Sequence, residues 1–223
     1  MIIAALIATF AISFLLGSIP WGVVIGKAFF HTDIRKSGSG NIGTTNAMRV
    51  IGKKGGVAVF ILDFGKGLLS GWIATLLAGA VLTGGVSPAL EWITVREFLA
   101  LSFIGCIVGH IYSPWLGFHG GKGIAVAVGC LFFVFGFVGA WIELGIFIVL
   151  VVTTRYVSVG SMAAAIACPF LTIYYYWGDP FAWAIISIAA MLVFFAHHEN
   201  LKRLLDGCEP RIGDKKKAAG TNG

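Results

Sequence analysis

The sequence predicts an all-α fold: a polytopic membrane helix bundle of seven transmembrane helices, N-terminus outside and C-terminus cytoplasmic. Three observations predict it. Of 223 residues, 58% are hydrophobic and only 12% are charged, too few charges to solvate a globular surface. Stretches of about twenty residues without a charge recur along the chain, the length a helix needs to cross a bilayer. The basic residues, finally, gather in two segments, and in a membrane protein such clusters report topology. A soluble enzyme, a disordered chain and a secreted disulfide scaffold are excluded. The net charge of +6 is read as topology, and no nucleic-acid partner is expected.

Apolar spans fall at 2–26, 55–82, 98–117, 123–154, 156–178 and 180–196. The first has no positive leader and no clear cleavage site, so it is expected to stay. The fourth is too long. As one helix it would run ~48 Å against a hydrocarbon core of ~30 Å, so it is either steeply tilted or two short helices folded near Gly136 and Gly139. Charge decides between them. Lys27, Arg35, Lys36, Arg49, Lys53 and Lys54 face a single acid, Asp33, in one segment; Lys202, Arg203, Arg211, Lys215, Lys216 and Lys217 fill the tail. Both belong in the cytoplasm, and only an odd number of spans puts them on one side. One membrane domain over residues 1–213 is expected, followed at 214–223 by a disordered basic tail touching anionic headgroups. Cys106, Cys130 and Cys168 lie in apolar runs and read as small buried residues; Cys208 is in the polar tail, and no disulfide or metal spacing appears.

Four polar islands then face the cytoplasm. The first is Arg35-Lys36-Ser37-Gly38-Ser39-Gly40-Asn41-Ile42-Gly43-Thr44-Thr45-Asn46, with Arg49 beyond it. Glycines 38, 40 and 43 permit positive φ, so consecutive N–H groups can turn inward as an anion-binding nest, although a plain flexible connector has the same composition. Arg49 offers a fork for phosphate. The second, His119-Gly120-Gly121-Lys122-Gly123, opens a membrane helix whose dipole would help hold an anion; a snorkelling lysine is the plainer alternative. His110, just upstream, reads as a core histidine. In the third, Ser158 and Ser161 lie one turn apart, while Arg155 reads as an interfacial anchor. In the fourth, His197, Asn200 and Arg203 share a helical face. Asp63 and Lys66 form an intramembrane pair, either structural or supporting the site. Donors dominate and carboxylates are scarce, so the expected site holds one or two phosphates at the membrane face without a metal or other cofactor.

The motifs Gly17-Ser18-Ile19-Pro20, GSGNIGTTN, Leu62-Asp63 with Lys66-Gly67, HGGKG, RYVSVGS, and the ending from His197 to Glu209 occur in an order and spacing that covers almost the whole chain. In these the chain resembles the bacterial integral-membrane glycerol-3-phosphate acyltransferases that use acyl phosphate as donor. Departures are Thr44 where alanine is usual, His119 for a lysine and Val126 for a threonine. The resemblance implies acyl transfer to the 1-hydroxyl of glycerol 3-phosphate, the first step of phospholipid synthesis, at the cytoplasmic face of the bacterial inner membrane. Its implied partners are glycerol 3-phosphate, acyl phosphate and membrane lipid, with no obligate protein partner. Ser39, Arg49, Lys122, His197 and Asn200 become the candidate catalytic residues. Gly40, Asn41, Gly43, Thr44, Asn46, Gly120, Gly121, Ser158, Ser161 and Arg203 become the candidate substrate-binding ones. Two readings from other classes compete: a transporter for a phosphorylated solute, which would carry inverted repeats and midplane helix breaks, and a non-catalytic headgroup-binding scaffold.

Overall fold

The computed structural model describes residues 1–85 and 87–214. The expected tail at 214–223 lies outside them except for Asp214. The described residues form ten α-helices: α1 (Ile2–Ser18), α2 (Trp21–Phe30), α3 (Thr44–Val50), α4 (Gly52–Leu82), α5 (Val95–Ile111), α6 (Ile124–Val134), α7 (Gly136–Thr154), α8 (Val157–Tyr175), α9 (Pro180–Phe195) and α10 (His198–Leu205). There are no strands among them. The chain is thus all-helical, with apolar helices of membrane-spanning length.

Local chemistry sets the boundaries. Pro20 separates α1 from α2, because the residue before a proline avoids the helical region. The two still make one apolar stretch of 29 residues. α5 starts at a capping box: Thr94 accepts from the Arg96 N–H at 3.1 Å, and Glu97 accepts from the Thr94 N–H at 2.6 Å. The overlong fourth span does break, at Phe135 and Gly136, where Gly136 takes φ +67°. The outcome is a short α6 of eleven residues, about 16 Å long, so it reaches only halfway through a ~30 Å core. α9 ends at Ala196, and α10 turns away from it by 47°.

Glycines let the helices touch. A Cβ on Gly109 of α5 would overlap the Phe14 carbonyl of α1, and one on Gly129 of α6 would overlap the Phe64 carbonyl of α4. Without a hydrophobic drive between helices in lipid, such close backbone packing supplies the attraction. α5 is the central element, packed on α1, α4, α6 and α9, and contributes Phe98, Phe103, Cys106 and Ile107 to the core. α4 and α7 make no extended contact; α6 lies between them and packs on both. Cys106, Cys130 and Cys168 are buried and Cys208 is exposed.

Candidate active site

All four islands converge on one cavity of about 1180 Å³. Ser39, Asn41, Gly43, Thr44, Asn46 and Arg49 line one side; Lys122, Ser158, Ser161, His197, Asn200 and Arg203 line the other. Asp63 and His110 reach its wall from α4 and α5. The cavity continues into an apolar limb between Phe60 and Phe64 of α4, Val128 and Phe132 of α6, and Trp141, Leu144 and Phe147 of α7. Phe60 and Trp141 are 41% and 47% exposed on the bundle's outer face, so this limb opens sideways.

Three candidate residues do not line the cavity: Gly40, Gly120 and Gly121. The resemblance has the last two shape a phosphate site in the second island. Instead Gly120 donates to the Ile111 carbonyl at 2.8 Å and Gly121 to the His110 carbonyl at 3.0 Å, closing the end of α5. Their lack of side chains serves close approach, since a Cβ on Gly121 would overlap His110 Nε2. What lines the cavity there is Lys122, Gly123 and the first residues of α6, so the positive end of that helix faces the cavity. In the first island, Gly38 and Gly40 have positive φ, whereas Gly43 is extended and leads into α3.

Asn46 turns out to hold the loop. Its amide donates to the Ile34, Ser37 and Asn41 carbonyls at 2.8, 3.2 and 2.8 Å, and its oxygen accepts from the Ser39 N–H at 2.8 Å. That saturates a buried side chain and leaves it as wall. Arg49, by contrast, is exposed and unpaired among the described residues. Two buried hydroxyls on the cavity, Thr44 Oγ1 and Ser158 Oγ, have no hydrogen-bond partner of good geometry, although Glu209 stands beside Ser158. Buried orphans of this kind ask for a polar ligand. Thr44, where the resembled family has alanine, therefore adds a donor. His119 is exposed and off the cavity, and Val126 is core.

Lys122 Nζ donates to Asn200 Oδ1, whose amide donates to Glu209 Oε1 at 2.6 Å. Arg203 Nε donates to Glu209 Oε2 at 2.8 Å. Glu209 is the residue that sequence reasoning left without a role. Gly207, at φ +66°, reverses the chain after α10 so that the carboxylate returns to Asn200 and Arg203. Arg155 then pins the returning segment, donating from Nε and Nη2 to the Ile212 carbonyl at 3.1 and 2.6 Å. The expected anchor is thus a clasp. Burial disfavours the charged carboxylate of Glu209, yet hydrogen bonds from Asn200 and Arg203 outweigh it and hold the pKa below the usual range.

Burial, helped by the neighbouring Arg203 charge, brings the Lys122 pKa down to about 8. Its cation is therefore present at neutral pH and lost as pH rises through that value. kcat/KM, which reports the free enzyme, should fall on an alkaline limb near pH 8, and the limb should disappear in Lys122→Arg. A profile flat to pH 9.5 in the wild type would contradict this. His197 is brought down to about 4, chiefly by burial. Its Nδ1 lies 2.8 Å from the Val193 carbonyl, which only accepts, so Nδ1 holds the proton and Nε2 is an acceptor.

A cation-lined polar end joined to an apolar, sideways-open limb inside a helical bundle is the kind of site that suits an amphiphile with an anionic head. Comparison with known proteins narrows the class. The family described as Glycerol-3-phosphate acyltransferase matches residues 7–207. A glycerol-3-phosphate acyltransferase of Thermosynechococcus vestitus is 40% identical over 205 residues, 91% of this chain and 92% of its own. One from Rhodopseudomonas palustris is 36% identical over 97% of this chain and all of its own. The crystal structure of PlsY (YgiH), an integral membrane glycerol 3-phosphate acyltransferase, in its glycerol 3-phosphate form superposes with a TM-score of 0.78 at 35% identity, covering 93% of this chain and 96% of that one. Its lysophosphatidic acid form gives 0.76 at 34%. The chain belongs to the glycerol-3-phosphate acyltransferase family, and it is a multi-pass membrane acyltransferase.

Proposed function

We propose that the protein transfers a fatty acyl group from acyl phosphate to the 1-hydroxyl of glycerol 3-phosphate, giving lysophosphatidic acid and phosphate and so opening phospholipid synthesis. The observation that carries this reading is the single cavity in which cations and orphan hydroxyls meet an apolar limb. Arg49 and Lys122, on opposite walls, match two phosphates, and the limb between α4, α6 and α7 matches an acyl tail. The glycerol hydroxyl oxygen bonds to the carbonyl carbon, the carbonyl pair moves to oxygen and returns as the bond to phosphate breaks. Phosphate leaves carrying the hydroxyl proton, so no enzymic nucleophile, metal or cofactor is required. His197 supports that economy: a base with a pKa of about 4 is weak at neutral pH, yet its Nε2 lone pair can orient the attacking hydroxyl.

The basic segments further support the seven-helix arrangement, with the short α6 and the full-length α7 as the two arms of a hairpin, the N-terminus outside, and the site at the cytoplasmic face of the bacterial inner membrane. Labelling of A219C by an impermeant reagent in intact cells would refute this orientation. For the donor, purified protein in detergent should turn over labelled glycerol 3-phosphate with acyl phosphate and not with acyl-CoA. Equal rates with both, or a trapped acyl-serine at Ser39 or Ser161, would overturn direct transfer.

A further inference from the structure

Behind the polar wall lies an ionic cluster that the chemistry above leaves unused. Lys66 of α4 is 4% exposed. Its ammonium lies 2.9 Å from Asp63 Oδ1, donates to the Ile19 carbonyl at 2.9 Å, and sits 3.0 Å from His110 Nδ1. Asp63 Oδ1 is 3.9 Å from that same nitrogen, so lysine and not the carboxylate holds the ring. An ammonium has only donors. Nδ1 must therefore accept, and the proton of His110 resides on Nε2.

That proton has no protein partner among the described residues, and His110 lines the cavity. Gly121 lies against Nε2, where a side chain would cover the nitrogen and glycine leaves it open. The two cavity histidines thus carry opposite roles. A carbonyl holds His197 so that Nε2 accepts; a lysine holds His110 so that Nε2 donates.

We propose that His110 Nε2–H is a catalytic hydrogen-bond donor to the anionic oxygen that develops on the acyl carbonyl, and that Lys66 is a positioning residue that fixes its tautomer. The inference rests on the acyl-transfer reading given above. As the glycerol oxygen bonds to the carbonyl carbon, the displaced electron pair on oxygen accepts from Nε2–H. When the pair returns and the bond to phosphate breaks, the histidine keeps its proton and phosphate takes the one from glycerol. Asp63 neutralises the Lys66 charge, so the donor is held without a net charge at bilayer depth.

Two measurements on the full-length protein test this. In protein labelled with 15N-histidine, the His110 resonances should show a protonated Nε2 and a bare Nδ1, and the paired variant Asp63→Asn/Lys66→Met, which leaves no orphan charge, should lose that preference. In turnover, His110→Leu should lower kcat by about a hundredfold with both KM values within about threefold, the behaviour of a lost oxyanion donor. His110→Gln, which offers an N–H in place of Nε2, should recover about tenfold over leucine. Adding the Asp63/Lys66 pair change to His110→Leu should cost little more, since the two act as one unit. A protonated Nδ1 in the wild type, a kcat for His110→Leu within about threefold of wild type, or an effect confined to KM would overturn the proposal. Failure of the acyl-phosphate reading would look different: the wild type itself would prefer another donor, while the ratios between variants and the tautomer would stand.

Discussion

Lys122→Met is expected to lower kcat/KM on the order of a hundredfold in protein that remains folded and monodisperse. Among the described residues, the ammonium is the one cation in the cavity tied to Asn200, and through it to Glu209 and Arg203. A charge-assisted hydrogen bond to phosphate contributes about 1.5–3 kcal/mol, which converts to roughly ten- to over a hundredfold in rate. Methionine keeps the stem volume, so the loss reports charge and not packing. Arg49→Lys should lose activity as well and be only partly functional, because a point charge does not replace a bidentate fork. Steady-state kinetics with both substrates varied decides the matter. Near-wild-type kcat/KM in Lys122→Met would remove this wall from the phosphate site.

Gly121→Ala is expected to be nearly as damaging, for a steric reason. The added methyl group would overlap His110 Nε2, and Gly121 is fixed through its own N–H to the His110 carbonyl. Either the imidazole tilts from Lys66 or the loop carrying Lys122 shifts. Misplacing a catalytic group by about 1 Å is enough to cost on the order of a hundredfold. Thermal unfolding followed beside kinetics separates the outcomes: kcat should collapse while Tm falls modestly. Unchanged turnover would show that the ring and the loop are free to separate.

Much of this arrangement was legible from residues alone. Hydropathy marked the apolar helices; length showed the fourth stretch to be too long for one upright helix, and the placement of the basic segments chose a break near Gly136 over a steep tilt. The convergence of Ser39, Arg49, Lys122, Ser158 and Asn200 followed from putting the basic segments on one side. Local hydrogen bonding was the hidden part. Nothing in the spacing says that Gly120 and Gly121 give their N–H groups to the last turn of α5, or that the amide of Asn46 is consumed by three carbonyls of its own loop. Glu209 escaped because its partners lie nine and six residues back across a chain reversal. It is one of four acids after Ala196, with Glu199, Asp206 and Asp214, so composition does not single it out. Glu143, buried in α7 with an unpaired carboxyl oxygen, interrupts a stretch that hydropathy reads as uniformly apolar.

The short α6 bears on how turnover ends. Because it stops halfway and α4 does not close on α7, a tail lying over α6 is never fully enclosed by protein. Moving a fatty tail from hydrocarbon into water costs about 0.8 kcal/mol for each methylene, a barrier that would make aqueous escape of a long-chain product extremely slow. Sliding out between two helices exposes none of those methylenes. Release should then respond to the fluidity of the surrounding lipid, and kcat in vesicles should rise as the acyl chains melt while aqueous viscosity leaves it unchanged. Under the acyl-phosphate proposal, the phosphate product would depart through water and the lipid product through the membrane, so neither would have to wait for the other's exit.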